Sequence, residues 1–163
     1  MKVRTTTTTE LSLSLRAWSR QVNWGIRLSP ARTSYNILYD VIHPDEPRSD
    51  FEIRVSKVNK IKAIYRGKAL LGVIEYGYDK KKNNLWIHNL ASSPNIVLRK
   101  TYKGIGSSLL LHAIKYAVRI GAKQICLFSS RDNFYRKFGF VKIAGMMVLR
   151  LCKKIIRKLF TGA

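Results

Sequence analysis

The sequence predicts an α+β domain with a mixed, mostly antiparallel sheet flanked by helices. Residues 51–91 contain successive β-rich runs joined by short connections, and this pattern favours antiparallel pairing. Residues 85–128 then read as strand, helix and strand, so a crossover unit lies in the middle of the sheet. We expect one domain over residues 1–163, because this length supports one core and no internal repeat is present.

The N-terminal third gives the weaker signals. Residues 1–10 are expected to be flexible, because a run of five threonines has no core-facing period. The stretch "LSLSL" alternates as a strand does, which disfavours an organelle transit peptide despite the Arg-, Ser- and Thr-rich start. Residues 16–28 are ambiguous. The stretch "SPARTSYNILYDVI" predicts a helix with Pro30 at its first position.

The middle of the chain predicts four strands. They are the stretches "FEIRV", "IKAIYRG", "ALLGVIEYGY" and "LWIHNLA", with "DKKKNN" as a charged turn between the last two. Each is rich in β-branched and aromatic residues, and the connections between them are short.

The C-terminal half begins with a glycine-led helix. Apolar residues at helical spacing predict a helix from about Gly104 to Ile120, with Gly121 just past its end. The stretch "QICLF" predicts a strand, "RDNFYRKF" a short helix ended by Gly139, and "FVKI" and "MMVLRL" two final strands. Residues 152–163 form a basic amphipathic tail. We expect it to pack on the domain, because one short basic helix binds anionic lipid only modestly.

Positive charge is unevenly distributed along the chain. The formal net charge is +22; residues 1–79 carry +5, and residues 80–163 carry +17 with a single acid, Asp132. This excess is greater than solubility requires. It indicates a polyanionic partner: nucleic acid, an acidic membrane or a phosphorylated ligand.

Cysteine and histidine indicate neither disulfides nor metal. Cys126 and Cys152 each lie in or beside apolar runs, so we expect two buried thiols in a reducing cytoplasm. The three histidines are scattered without cysteine partners, so no metal site is predicted. No apolar run is long enough to predict a transmembrane helix.

The stretch "YKGIG" places two glycines at the start of a helix. Backbone N–H groups there lack helical partners, and the helix dipole makes that end positive. Glycines let an anion approach these groups, so the stretch predicts a phosphate cradle. It is not a P-loop, because Lys-Ser/Thr does not follow, and it lacks the third glycine of a dinucleotide fingerprint. A simple turn is the alternative.

Three stretches in order, "LWIHNLASSPN", "TYKGIGSSLL" and "FYRKFGF", together resemble the GNAT superfamily of acyl-CoA-dependent N-acyltransferases. The resemblance is good from about Ala69 to Leu151. It implies acetyl-CoA as the acyl donor, no metal, and an N-acetyltransferase activity on a primary amine.

The resemblance also implies roles for individual residues. The end of the fourth strand would bond the pantetheine arm of CoA, and the glycine loop with the residues before it would hold the pyrophosphate. Tyr135 would protonate the departing thiolate, although it is also read as a core aromatic. The implied CoA contacts are Leu90, Ala91 and Ser92, followed by Arg99, Lys100, Thr101, Tyr102, Lys103, Gly104, Ile105, Gly106 and Ser107.

The sequence departs from the family at two positions. Thr101 stands where the family has Arg or Gln, and Trp86 stands where many members have a glutamate base. Glu75 and His88 are the candidate bases. The alternatives are a solvent-facing Glu75, a core His88, and water relaying the amine's proton.

The acceptor is open at this point. A strongly basic surface repels cationic acceptors, so an amine carried on a polyanion such as aminoacyl-tRNA or the ribosome is one hypothesis. A general protein or small-amine acceptor is another. The rival class is a non-catalytic nucleic-acid-binding module on the same scaffold, for which Trp86 and Thr101 are the support.

Overall fold

A computed structural model describes residues 3–5, 11, 13–14, 60–93, 102–129 and 131–161. Within these residues a seven-stranded sheet has the order β1-β2-β3-β4-β5-β7-β6. The strands are β1 Val3–Thr5, β2 Lys60–Arg66, β3 Ala69–Asp79, β4 Asn84–Ser92, β5 Gln124–Leu127, β6 Val141–Ile143 and β7 Met146–Arg150. The helices with described bounds are α1 Ile105–Arg119, α2 Asp132–Arg136 and α3 Lys153–Thr161.

The sheet is mixed, as the sequence predicts. Only β4 and β5 pair in parallel, and every other described pair is antiparallel. The parallel pair is the one that α1 connects, because parallel neighbours need a crossover. The α+β class with a central strand–helix–strand unit is therefore confirmed.

The two long hairpins have turn chemistry suited to their residues. Gly67 lies between β2 and β3 with a φ of +56°, a conformation that glycine adopts without steric cost. Between β3 and β4, the Lys82 N–H donates to Asp79 Oδ1 at 3.1 Å, and the Tyr78 hydroxyl donates to Asn83 Oδ1 at 2.6 Å. The strands predicted for "IKAIYRG", "ALLGVIEYGY" and "LWIHNLA" are confirmed.

The main core lies between the sheet and α1. The side chains of α1 that the pattern predicts to face inward are all buried: Ile105, Leu109, Leu110, Ala113, Ile114 and Ala117. Gly121 follows the helix with a φ of +71°, as the sequence predicts for a helix C-terminus. This core fixes the start of α1 against the middle of the sheet.

The opposite face of the sheet carries two smaller apolar clusters. Leu11 packs there with Ala63, Leu70, Val73 and Ala91. The strand predicted for "LSLSL" is wrong at its described residues, because Leu11, Leu13 and Ser14 are helical. A strand would put Leu11 and Leu13 on one face, but Leu11 is 1% exposed and Leu13 is 65% exposed. The alternation therefore no longer argues against a transit peptide.

The N-terminal strand also differs from expectation. Val3–Thr5 lie within the segment predicted to be flexible, but they pair with β2 in the register Val3↔Ile64. Threonine and valine have high strand propensity, and the edge of β2 offers backbone partners. Among the described strands, these three residues form the edge of the sheet.

The C-terminal elements follow the sequence pattern. The short helix, the last two strands and the basic helix are confirmed, and Gly139 after α2 has a φ of +88°. Ile155, Leu159 and Phe160 of α3 pack against the main core, which confirms packing of the tail on the domain. None of the described helices combines the length and the apolar character that crossing a bilayer needs.

One cysteine expectation is confirmed and the other is wrong. Cys126 is buried on β5, where burial raises the pKa of its thiol. Cys152 is exposed, because it follows the end of β7 in the short connection to α3. Neither thiol is in a disulfide.

Several predicted elements lie outside the described residues. They are the helix over "SPARTSYNILYDVI", the strand over "FEIRV" and the ambiguous residues 16–28.

Candidate active site

The parallel strands β4 and β5 separate part-way along their length. Their described pairs are Asn84↔Gln124, Leu85↔Ile125 and Trp86↔Cys126. β4 continues to Ser92, whereas β5 ends at Leu127. Within the described residues, the later part of β4 therefore has no ladder partner on the β5 side. Its backbone N–H and C=O groups can pair with an extended ligand, much as a strand edge binds a peptide.

A β-bulge lies where the strands separate. Tyr76 of β3 pairs with Ile87 and Glu75 pairs with Asn89, so His88 is the extra residue on β4. Such a bulge bends its strand and redirects the following side chains. The residues after His88, which include Leu90, Ala91 and Ser92, are the part of β4 that leaves β5.

The start of α1 is open to an anion. Gly104 precedes the helix with φ +82° and ψ 1°, a left-handed conformation that favours glycine. The Ser108 N–H donates to Gly104 O at 2.8 Å, so the amides of Ile105, Gly106 and Ser107 precede the first helical bond. No side chain caps this end and its first turn contains no acid. These features fit a phosphate group.

Three elements converge at Gly106. A Cβ at this residue would lie 3.4 Å from Phe134 Cζ on α2 and 4.0 Å from Ser92 Oγ on β4. The end of β4, the start of α1 and α2 therefore meet at this residue. Gly72 on β3 makes this arrangement possible, because a Cβ there would overlap the Ile105 side chain.

Cations border the same end of the sheet. The Arg66 guanidinium lies 5.3 Å from the centre of the Tyr102 ring, and Lys103 is exposed beside it. A cavity of about 710 Å³ next to α2 is lined by Ser129, Arg131, Asp132, Asn133, Phe134, Lys137 and Lys142. Phe134 lines this cavity and also lies close to Gly106. Sequence reasoning missed Arg66 and Arg131, because only the fold brings them to the glycine start.

Asp132 is the single acid in this cavity. Lys142 Nζ lies 2.7 Å from Asp132 Oδ2, and this hydrogen bond lowers the pKa of the carboxyl group. Its charge is thus matched locally, which leaves Arg131 and Lys137 as the cations facing a ligand.

Tyr135 is a buried phenol that keeps its proton. Its ring packs edge-on against Phe134 and Phe140, with centroid distances of 5.0 and 5.7 Å. Burial raises its pKa to about 12, opposed in part by Arg131. Tyr135 is therefore neutral at physiological pH and suited to donate a proton, not to accept one. It is also a core aromatic.

Glu75 lies on the other side of the sheet from α1. Ile74 and Tyr76 belong to the core beneath α1, so the alternating Glu75 faces away from it. Glu75 is 1% exposed, and Asn89 Nδ2 donates to Glu75 Oε2 at 2.6 Å. The alternative of a solvent-facing Glu75 is wrong, because the far face of this sheet is covered. Asn89 is a partner that the sequence pattern did not single out.

The family model "Acetyltransferase (GNAT) family" matches residues 28–140, which is more than half of the chain. The chain belongs to the GNAT acetyltransferase family. Its members use acyl-CoA, and we therefore describe the protein as an acetyl-CoA-dependent N-acetyltransferase.

Solved structures of GNAT acetyltransferases share its fold. PaiA N-acetyltransferase from Thermoplasma acidophilum, in complex with coenzyme A, aligns with a TM-score of 0.58 at 18% identity, covering 92% of this chain and 98% of that one. A GNAT acetyltransferase from Brucella melitensis, in complex with acetyl-CoA, aligns at 0.58 and 16% identity, covering 93% and 88%. One from Desulfovibrio desulfuricans aligns at 0.66 and 13% identity, covering 93% and 99%. No curated protein sequence matches the chain.

The predicted site residues of this GNAT protein fall into three groups. The structure brings Ala91 and Ser92 at the end of β4 close to Ile105 and Gly106 at the start of α1, whereas the Tyr102 ring lies beside Arg66. Glu75 and Tyr135 lie on opposite faces of the sheet. Arg99, Lys100 and Thr101 lie outside the described residues, so their roles stay predictions.

Trp86, which stands in place of the usual glutamate, is a packing residue here. It is 6% exposed and packs with Cys126 and Val148, and its ring centre lies 6.3 Å from that of Phe128. In the described residues, no three His, Cys, Asp or Glu side chains lie together as a metal site would require.

Proposed function

We propose that acetyl-CoA binds with its pantetheine arm along Leu90–Ser92 and its pyrophosphate on the backbone amides from Tyr102 to Ser107. The parting of β4 from β5 beside the uncapped start of α1 is the observation that carries this proposal. A strand edge supplies hydrogen bonds to the amide groups of the arm, and a helix start supplies N–H donors to the phosphates.

The cations near the glycine start support this placement. Arg66, Lys103 and Arg131 are exposed at the end of the sheet where α1 begins, and CoA carries several phosphate charges. They compensate for Thr101, which stands where the family has Arg or Gln. Arg99 and Lys100 remain proposed contacts.

The acetyl group passes to an uncharged primary amine. The amine nitrogen attacks the thioester carbonyl, the carbon–sulfur bond breaks, and Tyr135 donates its phenolic proton to the thiolate. Glu75, whose carboxylate is held by Asn89, accepts the proton that the amine loses. Solvent then takes this proton from Glu75 and returns one to Tyr135. Because Glu75 and Tyr135 lie on opposite faces of the sheet, the amine would approach the thioester from one face and the CoA thiolate would leave on the other. His88 at the bulge is the alternative base.

The acceptor amine is proposed to be attached to a polyanion, as in aminoacyl-tRNA or a ribosome-bound protein. Residues 80–163 carry +17, which repels free cationic amines and attracts phosphate-rich molecules. Exposed Cys152 is compatible with the reducing cytoplasm where such acceptors occur.

The test uses labelled acetyl-CoA with three acceptors: aminoacyl-tRNA, deacylated tRNA and a lysine peptide. Label on aminoacyl-tRNA alone supports the polyanion-borne amine. Label on the peptide alone contradicts it and leaves a protein acceptor. Binding of RNA with no turnover on any amine would instead favour the non-catalytic module.

A further inference from the structure

The end of the sheet opposite the glycine start gathers four elements. The Lys123 N–H donates to Asn83 O at 2.9 Å, and the Leu151 N–H donates to Lys123 O at 2.9 Å. The pairs Asn84↔Gln124 and Gln124↔Arg150 continue this contact into the sheet. The β3–β4 turn, the start of β5, the end of β7 and the start of α3 therefore share one edge of the molecule.

This edge is rich in cations. We name as the basic edge six exposed side chains that these elements carry: Lys80, Lys81, Lys82, Lys123, Arg150 and Lys153. The acid nearest in sequence is Asp79, and its Oδ1 accepts the Lys82 N–H at 3.1 Å inside the turn. Such a cluster produces a positive potential that attracts polyanions.

Bound acetyl-CoA does not account for the basic edge. β4 has nine residues from Asn84 to Ser92, so the two ends of the sheet lie about 27 Å apart at ~3.4 Å per residue. The phosphates at the glycine start have their own cations there, such as Lys103 and Arg131. If the basic edge binds a ligand, that ligand is a molecule other than acetyl-CoA.

The packing of α3 argues against a lipid surface as that molecule. An amphipathic helix binds a bilayer by burying its apolar side in the lipid. In α3 the apolar residues Ile155, Leu159 and Phe160 already pack against the core, and Lys115 Nζ lies 5.4 Å from the centre of the Phe160 ring. The fully exposed side chains of α3 are Lys153, Lys154, Arg157 and Lys158, all of them cations.

We propose that the basic edge binds the phosphate backbone of a nucleic acid. Flexible lysines with no exposed aromatic side chain among them contact phosphates and do not read bases, so binding is independent of sequence. Binding of nucleic acid at the basic edge does not depend on the acetyltransferase activity. It rests on the proposed function only if the bound nucleic acid also carries the acceptor amine, about 27 Å away at the other end of the sheet.

The test measures binding of a fluorescein-labelled 20-nucleotide single-stranded RNA by anisotropy from 50 to 300 mM salt, without acetyl-CoA. The variant K80Q/K81Q removes two cations of the basic edge from an exposed turn. The control K68Q/R136Q removes two exposed cations from the glycine end of the sheet. Each lost phosphate contact lowers the slope of log affinity against log salt by about 0.7. We expect this slope to be smaller than that of wild type by about 1.4 in K80Q/K81Q, for two lost contacts, and by less than about 0.3 in the control.

Three results would overturn the inference. The salt slope could fall equally in the two variants, the wild-type protein could fail to bind RNA at about 100 mM salt, or it could bind vesicles with about 30% phosphatidylserine more tightly than RNA. Calorimetry with CoA separates this inference from the proposed function. If CoA fails to bind while RNA binding follows the basic edge, the proposed function fails and the docking stands. If CoA binds equally to wild type and K80Q/K81Q while RNA binding is absent, only the docking fails.

Discussion

Replacing Gly106 by alanine separates the stability of α1 from the affinity for CoA. The new Cβ would lie 3.4 Å from Phe134 Cζ and 4.0 Å from Ser92 Oγ, both ordinary contacts. The fold therefore tolerates it, and alanine favours a helix over glycine by about 0.5–1 kcal/mol. We expect the free energy of unfolding to rise by up to that amount, and Tm by ~1–4 °C.

The same methyl group should weaken CoA binding. It would stand between β4 and α2, beside the helix amides that are proposed to bind the pyrophosphate. We expect the Kd for CoA to rise at least tenfold, which is about 1.4 kcal/mol. Calorimetry gives the Kd and thermal melts give the stability. A folded G106A that binds CoA as tightly as wild type refutes the reasoning.

Gly104 and Gly121 form a matched pair, in which G104A is the test variant and G121A is its control. Both are left-handed, with φ of +82° and +71°, and a Cβ at either would meet no atom within 4 Å. Alanine at each should cost a similar ~1–2 kcal/mol of stability. CoA affinity should fall in G104A but not in G121A, because Gly121 lies at the far end of α1.

The remaining predictions concern single side chains. Y135F should lower kcat by about 10²–10⁴-fold with little change in the Kd for CoA, because the ring remains and the proton donor is lost; unchanged kcat with rate-limiting chemistry excludes the acid role. The pKa of Tyr135 is about 12 in the folded protein and near 10 in the unfolded chain. The free energy of unfolding should therefore fall as the pH rises from 10 to 12. Thermal melts of Y135F should show a smaller fall, because the variant lacks this phenol. E75Q should lower kcat with little change in the Kd for CoA, because the carboxylate proposed to accept the amine's proton is lost; an unchanged kcat favours His88 or water as the proton acceptor. G72A should cost about 1–3 kcal/mol in denaturant melts, because its methyl overlaps Ile105; wild-type stability would show that α1 moves freely.

Local patterns predicted the elements around the site well. The helix from Gly104, its six buried side chains and the strands on either side follow from periodicity and glycine placement. The resemblance supplied the order of the three motifs. The periodicity and the motifs each lie within a short stretch of sequence, so they can be recognised from a single sequence without the structure.

The contacts between distant segments were not predictable in the same way. The bulge at His88 depends on the register between β3 and β4, and alternation alone does not fix a register. The buried Glu75–Asn89 pair depends on what covers the far face of the sheet. The helical state of Leu11 was missed because three alternating leucines are too short a pattern to separate strand from helix.

The central claim is that this fold transfers an acetyl group from acetyl-CoA to an amine. The most direct measurement is product analysis after incubation of the protein with carbon-labelled acetyl-CoA and aminoacyl-tRNA, with free CoA followed in parallel. The account predicts one CoA released per label incorporated, and label recovered as an N-acetylated amino acid after mild base hydrolyses its ester bond to the tRNA. CoA release without amide-linked label, or label found only as a hydroxylamine-sensitive thioester on the protein, would contradict it.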